Sequence, residues 1–239
     1  MSSRTALVLG GTSGIGLATA RQLRALGATV HISGRDKRRL DEVAATDPEL
    51  VGHRSDASDP IALRELVEEI TAIDWLVVTA SGAEGMGPVA DLDLDVLRRA
   101  FDAKFWTHLG AIRAALPHLS VDGSITLVSA SSARMGMPGT AGLSALNAAV
   151  EGLVRPLAVE LAPIRVNAVS PGLVDTPWWD GTPEDARRAL FAQVASILPA
   201  RAVAVADDVA AAVVLAATNR NLTGTILESD GGARLVSLA

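Results

Sequence analysis

Apolar residues along this chain fall into two patterns that take turns. One is a short unbroken run bounded by glycine or polar residues, which reads as a buried strand; the other repeats every three or four positions, which reads as one face of a helix. The first run, Thr5-Ala-Leu-Val-Leu, leads straight into Gly10-Gly-Thr-Ser-Gly-Ile-Gly16. A helical pattern follows through Ile15, Ala18, Leu23 and Leu26, and Gly27 stands where a C-cap glycine would end it. Further strands are expected at Ala28–Ser33, Leu50–Arg54, Trp75–Thr79, Ser124–Val128, Ile164–Val169 and Thr225–Leu227. Between them helices are expected at 35–45, Ile61–Ile70, from Leu94 or Ala100 to Leu119, Ala141–Leu161, Glu184–Ile197 and Asp207–Ala217. Pro156 should kink or break the fourth of these helices. Strand–helix alternation of this kind predicts an α/β fold, a Rossmann-like doubly wound three-layer sandwich with a parallel sheet.

The glycine cluster adds chemistry to that pattern. A strand, a glycine turn and a helix set backbone N–H groups and the positive end of a helix dipole against an anion, usually a pyrophosphate. Gly10 permits the turn, Gly14 lets the backbone approach phosphates, and Gly16 lets helix and strand pack closely. Thr12, Ser13 and Ile15 belong to the same binding turn. The spacing is Gly-x-x-x-Gly-x-Gly, and a ligand-free glycine turn has the same local sequence.

Composition narrows the classes. With 239 residues, 49 % of them hydrophobic, the chain suits a single domain over 1–239 with a large core. No apolar run reaches ~18 residues, so no membrane partner is expected. Met1-Ser-Ser-Arg leaves no room for a signal peptide before the first strand, and a cytoplasmic location is the expectation. A net charge of −6 argues against sequence-independent nucleic-acid binding. The chain has no cysteine, so thiolate metal sites are absent and no metal is expected. It also has no tyrosine.

The end of the second strand is where such folds meet the adenosine ribose, and there an arginine accommodates a 2′-phosphate. Ser33-Gly34-Arg35 occupies that corner, with Lys37, Arg38 and Arg39 behind it. This run favours NADP(H) over NAD(H) through Arg35; the alternative is a solvated helix start. Asp36 is placed to cap that helix. Asp56 either accepts from the adenine amino group or forms an Asx turn.

Over essentially its whole length the chain resembles the short-chain dehydrogenase/reductase family. The resemblance rests on Gly10-x-x-x-Gly14-Ile-Gly16, Asp56-Ala57, Glu160-Leu-Ala-Pro163, Ile164 through Thr176 and Thr223 through Gly232. It implies a seven-stranded parallel sheet, a nicotinamide cofactor across the sheet's carboxyl edge, and a homodimer or homotetramer. Pro171, Gly172, Val174 and Thr176 would hold the nicotinamide end, and Ala80, Ser81 and Gly82 occupy the position of the family's segment after the fourth strand. The family's catalytic residues do not carry over: its Tyr position falls on Leu143, its Lys on Asn147, its Ser on Ala130 and its Asn on Lys104. The last and second of these exchange the same two residue types between two helices.

Losing the tyrosine removes a general acid worth ~10²–10⁴-fold. The expectation is an atypical NADP(H)-dependent oxidoreductase that passes hydride to an activated small-molecule acceptor, such as an iminium or a polarised conjugated system. Lys104 would hold the ribose or act as the acid, oriented by Asn147, Ser129 or Ser131. Alternatives are a redox-neutral enzyme and a non-catalytic NADP(H)-binding protein. His108, one turn beyond Lys104, reads as a proton donor or a packing residue; Trp178 and Trp179 read as a pocket wall or as packing; Glu84 reads as a pocket or solvated residue.

Overall fold

The computed structural model describes residues 4–80 and 84–236. Its centre is a seven-stranded parallel sheet in the order β3-β2-β1-β4-β5-β6-β9. These strands are β1 (Thr5–Leu9), β2 (Thr29–Gly34), β3 (Leu50–Arg54), β4 (Ile73–Val78), β5 (Leu119–Val128), β6 (Arg165–Pro171) and β9 (Ile226–Ser229). Two further strands, β7 (Val174–Asp175) and β8 (Ala204–Val205), pair only with each other. They were not legible as strands, because two residues carry no period.

The strands are apolar throughout, yet their side chains still divide by parity, since a pleated strand sends neighbours to opposite faces. Leu7, Leu9, Leu76, Val78, Ile125 and Leu127 face one way. They pack with helices α3 (Pro60–Ile70), α5 (Thr107–Ala115), α6 (Ala141–Gly152) and α7 (Val154–Glu160). Ala6, Val8, Val30, Ile32 and Val77 face the other way, against α1 (Gly14–Ala25), α2 (Lys37–Thr46) and α9 (Ala206–Thr218). Val209–Ala217, the longest apolar stretch of the sequence, is thus a core helix.

The expected helix from Ala141 to Leu161 breaks at Leu153, between α6 and α7. Pro156 explains the place, because it cannot donate to the Gly152 carbonyl four residues earlier and its ring crowds that oxygen. The expected helix from Leu94 to Leu119 departs more. It runs as α4 (Leu94–Phe101), a π-helical turn over Asp102–Trp106, α5, and a 3-10 turn over Leu116–His118. Leu119 already belongs to β5, which begins five residues before the expected Ser124. Helix α8 (Glu184–Ile197) lies between β7 and β8 in the chain and adds no residue to the sheet's core among the described residues.

The strand order reverses between β1 and β4, and ligands of open α/β sheets bind outside the carboxyl ends of the strands at such a switch. There the Thr79 amide donates to the Leu9 carbonyl at 2.9 Å, and a Cβ on Gly10 would stand 2.7 Å from the Thr79 hydroxyl oxygen. Gly10 has φ +83°, so this close approach and the turn both require glycine. The switch-point crevice is therefore walled by the glycine turn on one side and the end of β4 on the other. No helix among the described residues is long and apolar enough to cross a membrane.

Candidate active site

The glycine turn ends on the N-terminus of α1, and this helix start differs from its neighbours. Helices α2, α3 and α4 are capped by the side chains of Asp36, Asp59 and Asp93, which accept from backbone N–H groups of their first turns. At α1 the N-cap residue Ser13 makes no side-chain cap bond; its hydroxyl instead accepts from Arg39 at 3.3 Å. The first-turn donors of α1 are left for an anion, and no aspartate competes for the place. A Cβ on Gly14 would come within 3.4 Å of Thr176, so the turn and the segment after β6 flank one narrow span. A Cβ on Gly16 would collide with the Gly10 carbonyl. These features fit a dinucleotide diphosphate, with Gly10, Thr12, Ser13, Gly14, Ile15 and Gly16 on one side and Thr176 on the other. Farther along, Val174 is buried, and Gly172 packs so tightly on Asp230 that a Cβ would lie 2.9 Å from its carbonyl oxygen. The segment from Pro171 to Thr176 is therefore backed by the C-terminal turn.

At the ribose corner the basic run sorts itself. Lys37 pairs with Asp41 and Arg38 with Glu42 along exposed α2, while Arg39 reaches Ser13. These first two charges are the solvated helix start. Arg35 is exposed and makes no side-chain hydrogen bond among the described residues, which leaves its guanidinium available. Asp56 does form the Asx turn, accepting from the Ser58 amide at 2.9 Å and hydroxyl at 2.7 Å. Partial burial pushes its carboxyl up, but the Ser58 bonds and the charge of Arg35 outweigh this and hold it below the usual value. Ala57 and Ala80 are half-buried at the same edge. Ser81 and Gly82 lie outside the described residues.

The second half of the site is built on the π-helical turn. π-turns insert one residue into a helix and turn side chains out of the regular register. Lys104 sits inside this one, 5 % exposed. Its ammonium donates to Asn147 Oδ1 at 2.7 Å and to the Ser129 carbonyl at 3.2 Å. Asn147 is oriented in turn, its amide donating to the Leu143 carbonyl at 2.9 Å and to Ser132 Oγ at 3.1 Å. Both Asn147 donors are thus used, and its carbonyl can only face the lysine. Burial pushes the Lys104 amine down to about 8, opposed by the negative charge of Glu151.

The structure sorts the expectations for this site. Ser129 meets Lys104 through its carbonyl, while its hydroxyl turns away to Glu151 Oε1 at 2.8 Å. Ser131 makes no hydrogen bond to Lys104 among the described residues, a correction of that expectation; the next residue, Ser132, acts indirectly by accepting from Asn147, because Ser131–Ala133 form a 3-10 turn that carries Ser132 toward α6. Of its two readings His108 takes packing, and it is no proton donor at neutral pH. It is fully buried, its Nδ1 donates to the Lys104 carbonyl at 2.8 Å, and burial together with the Lys104 charge pushes it down to about 4.

The tryptophans divide their two readings. Trp179 is packing: its ring meets Phe191 edge-on at 5.7 Å and its indole N–H donates to the Val174 carbonyl at 3.1 Å. Trp178 leans on it at 4.5 Å and is 51 % exposed, so its face is open beside the Pro171–Thr176 segment. Glu84 is exposed and stands 3.6 Å from Arg99, the solvated reading of that residue.

Comparison with known proteins adds to this geometry. The family profile described as "Enoyl-(Acyl carrier protein) reductase" matches residues 10–234. "Cis-4-hydroxycyclohexanecarboxylate dehydrogenase" from Sinomonas cyclohexanicum is 35 % identical over 246 residues, covering 97 % of this chain and 96 % of that protein. This chain is a member of the short-chain dehydrogenase/reductase family. Among solved short-chain dehydrogenase/reductase structures, "a small-chain dehydrogenase in complex with NADPH" is 38 % identical, covers 98 % of this chain and 100 % of its own, and superposes with a TM-score of 0.87. The "MalC Reductase/Diels-Alderase from Malbranchea aurantiaca" is 28 % identical, covers 98 % and 96 %, and has a TM-score of 0.87. The chain is thus an oxidoreductase of short-chain dehydrogenase/reductase type on the seven-stranded Rossmann-like scaffold of these relatives.

Proposed function

We propose that this protein is an atypical NADP(H)-dependent reductase whose acceptor is already activated toward hydride, such as an iminium or a strongly polarised conjugated system. The observation that carries the reading is the Lys104 ammonium, buried and held at 2.7 Å by Asn147, in a chain without a single tyrosine. On the sequence resemblance, the Tyr, Lys, Ser and Asn positions of the family fall on Leu143, Asn147, Ala130 and Lys104. A buried ammonium costs several kcal/mol unless it has work or partners, and arginine replaces lysine almost everywhere else: the chain has two lysines, Lys37 and Lys104, among 21 basic residues.

The cofactor, when bound, supplies hydride. Gly10, Thr12, Ser13, Gly14, Ile15 and Gly16 hold its diphosphate; Arg35 takes the 2′-phosphate and sets the preference over NAD(H); Asp56 and Ala57 border the adenine. Ala80, Pro171, Gly172, Val174 and Thr176 hold the nicotinamide end, as Ser81 and Gly82 do on the sequence resemblance. Lys104 keeps a positive charge beneath the acceptor or the ribose, and Asn147, Ser129 and Ser132 fix its direction. Leu143 and Ala130 leave no proton donor above it, so orientation and electrostatics rather than general acid catalysis carry the acceleration. Trp178 offers an open aromatic wall to a flat apolar substrate. An NADPH-bound relative supports NADP(H) use, and a relative described as both reductase and Diels-Alderase supports the alternative of chemistry beyond hydride transfer on this scaffold.

We propose further that residues 1–239 act as one cofactor-binding unit, in a homodimer or homotetramer, in the cytoplasm, with neither nucleic acid nor membrane as partner. The test of the reading is NADPH oxidation followed at its absorbance band against a panel of preformed iminium salts, enones and simple ketones. Turnover of the first two groups with ketones inert supports it; ketones reduced as fast as iminium salts overturn it.

A further inference from the structure

Lys104 is one end of a chain of charges that reaches the C-terminal turn. Glu151, one turn beyond Asn147 on α6, is 8 % exposed. Its Oε1 accepts from Ser129 Oγ at 2.8 Å, and Ser129 is the residue whose carbonyl receives the Lys104 ammonium. Its Oε2 accepts from Arg134 Nη2 at 2.7 Å. Arg134 also pairs with Glu228, Glu228 with Arg234, and Arg234 with Asp230 at 2.8 Å. The six charges alternate in sign from Lys104 to Asp230, and Asp230 is the residue against which Gly172 of the Pro171–Thr176 segment is packed. Sequence reading saw none of this, since Glu151, Arg134 and Glu228 stand on different elements with no shared motif.

We infer that Glu151 is a positioning residue: through Ser129 it fixes the acceptor of the Lys104 ammonium, and through its charge it keeps that amine protonated in a buried site, with Arg134 setting how much of that charge Lys104 feels. The groups facing the amine are few. Glu151 acts on it from α6 and His108 from α5, neutral at pH 7; Asn147 and Ser129 contribute neutral acceptors, and Arg134, on the turn after β5, bears on it through its pairing with Glu151. Glu151 is thus the carboxylate that opposes desolvation of Lys104. Arg134 competes with Lys104 for it, so loss of Arg134 and loss of Glu151 must move Lys104 in opposite directions.

The inference rests on the proposed function only in giving the Lys104 charge a task in the reaction. Its test therefore needs no substrate. With two lysines in the chain, uniform 13C-lysine labelling of the whole protein yields two Cε signals, one from exposed Lys37 and one from Lys104. The expected result is that Glu151→Gln lowers the Lys104 titration midpoint by about one unit, as loss of one nearby charge in a partly screened interior implies. Glu151→Asp restores most of the shift, Arg134→Met raises the midpoint, and Lys37 does not move in any of them. Should Glu151→Gln fail to fold, the Arg134→Met shift alone decides. A Lys104 midpoint unchanged in Glu151→Gln, or lowered in Arg134→Met, overturns the inference. NADPH fluorescence enhancement on the same samples is the independent check of the cofactor reading: absent binding with the expected midpoints sinks that reading and leaves the Glu151–Lys104 coupling standing.

Discussion

Replacing Lys104 by methionine removes the charge and the donor while keeping most of the volume. Two effects then oppose one another at neutral pH. The desolvation of a fully buried ammonium is relieved: a fall from 10.5 to about 8 corresponds to about 3 kcal/mol between the two protonation states. Against this, Asn147 Oδ1 and the Ser129 carbonyl lose their donor, at about 1–3 kcal/mol for a buried acceptor. The net change at pH 7 is accordingly small, but its pH dependence is not. Below pH 8 Lys104 is protonated in both the folded and unfolded chains, and the burial penalty is present in full. Above pH 8 the folded chain releases its proton while the unfolded chain retains its own up to about 10.5. The unfolded state then binds more protons, so stability conferred through this residue rises with pH. Between pH 7 and 10 the wild-type chain should gain about 2–3 kcal/mol relative to Lys104→Met. Urea unfolding at several pH values in that interval reads this difference directly. The window is unusually clean, because no tyrosine or cysteine titrates in it. Stability curves for the two proteins that stay parallel from pH 7 to 10 would refute a desolvated amine at position 104.

Other perturbations address the rest of the site. Arg35→Ala should weaken NADPH binding about tenfold to a hundredfold and leave NADH unchanged, the worth of one charge-assisted contact; equal losses for both, by fluorescence titration, would remove Arg35 from the 2′-phosphate. Gly16→Ala forces a methyl against the Gly10 carbonyl and should cost about 1–3 kcal/mol by thermal unfolding, together with cofactor binding. Trp178→Ala, at an exposed ring, should change stability by less than about 0.5 kcal/mol and raise KM for an apolar acceptor while sparing NADPH affinity.

How much of this was legible beforehand depended on whether a feature is local. Strand β3 at Leu50–Arg54 and helix α8 at Glu184–Ile197 fall where the pattern put them, since each is bounded by turn residues and has a full period. The helix break near Pro156 was legible because proline's missing N–H acts four residues upstream. Strand β5 was read short, because Asp122-Gly123 resembles a turn; here Gly123 lets the backbones of β4 and β5 close on one another, its Cβ position lying 2.8 Å from the Asp74 carbonyl. The sequence resemblance put the family's Asn and Lys positions on Lys104 and Asn147. That the two side chains meet was not, for it depends on the π-turn, which alters the helical period by a single residue in an aromatic-rich segment. Ser132 and Glu151 were missed for the same reason: nothing in a serine pair or a helical glutamate announces which one a neighbouring helix will bury.

The account stands on retention of a phosphorylated dinucleotide at the uncapped start of α1. Titration of the purified protein with NADPH and, separately, NADH, followed by fluorescence and thermal shift, tests it most directly. The account predicts saturable uptake of NADPH, with NADH weaker, and loss of both in Gly16→Ala. Absence of binding by either nucleotide up to millimolar concentration would contradict it.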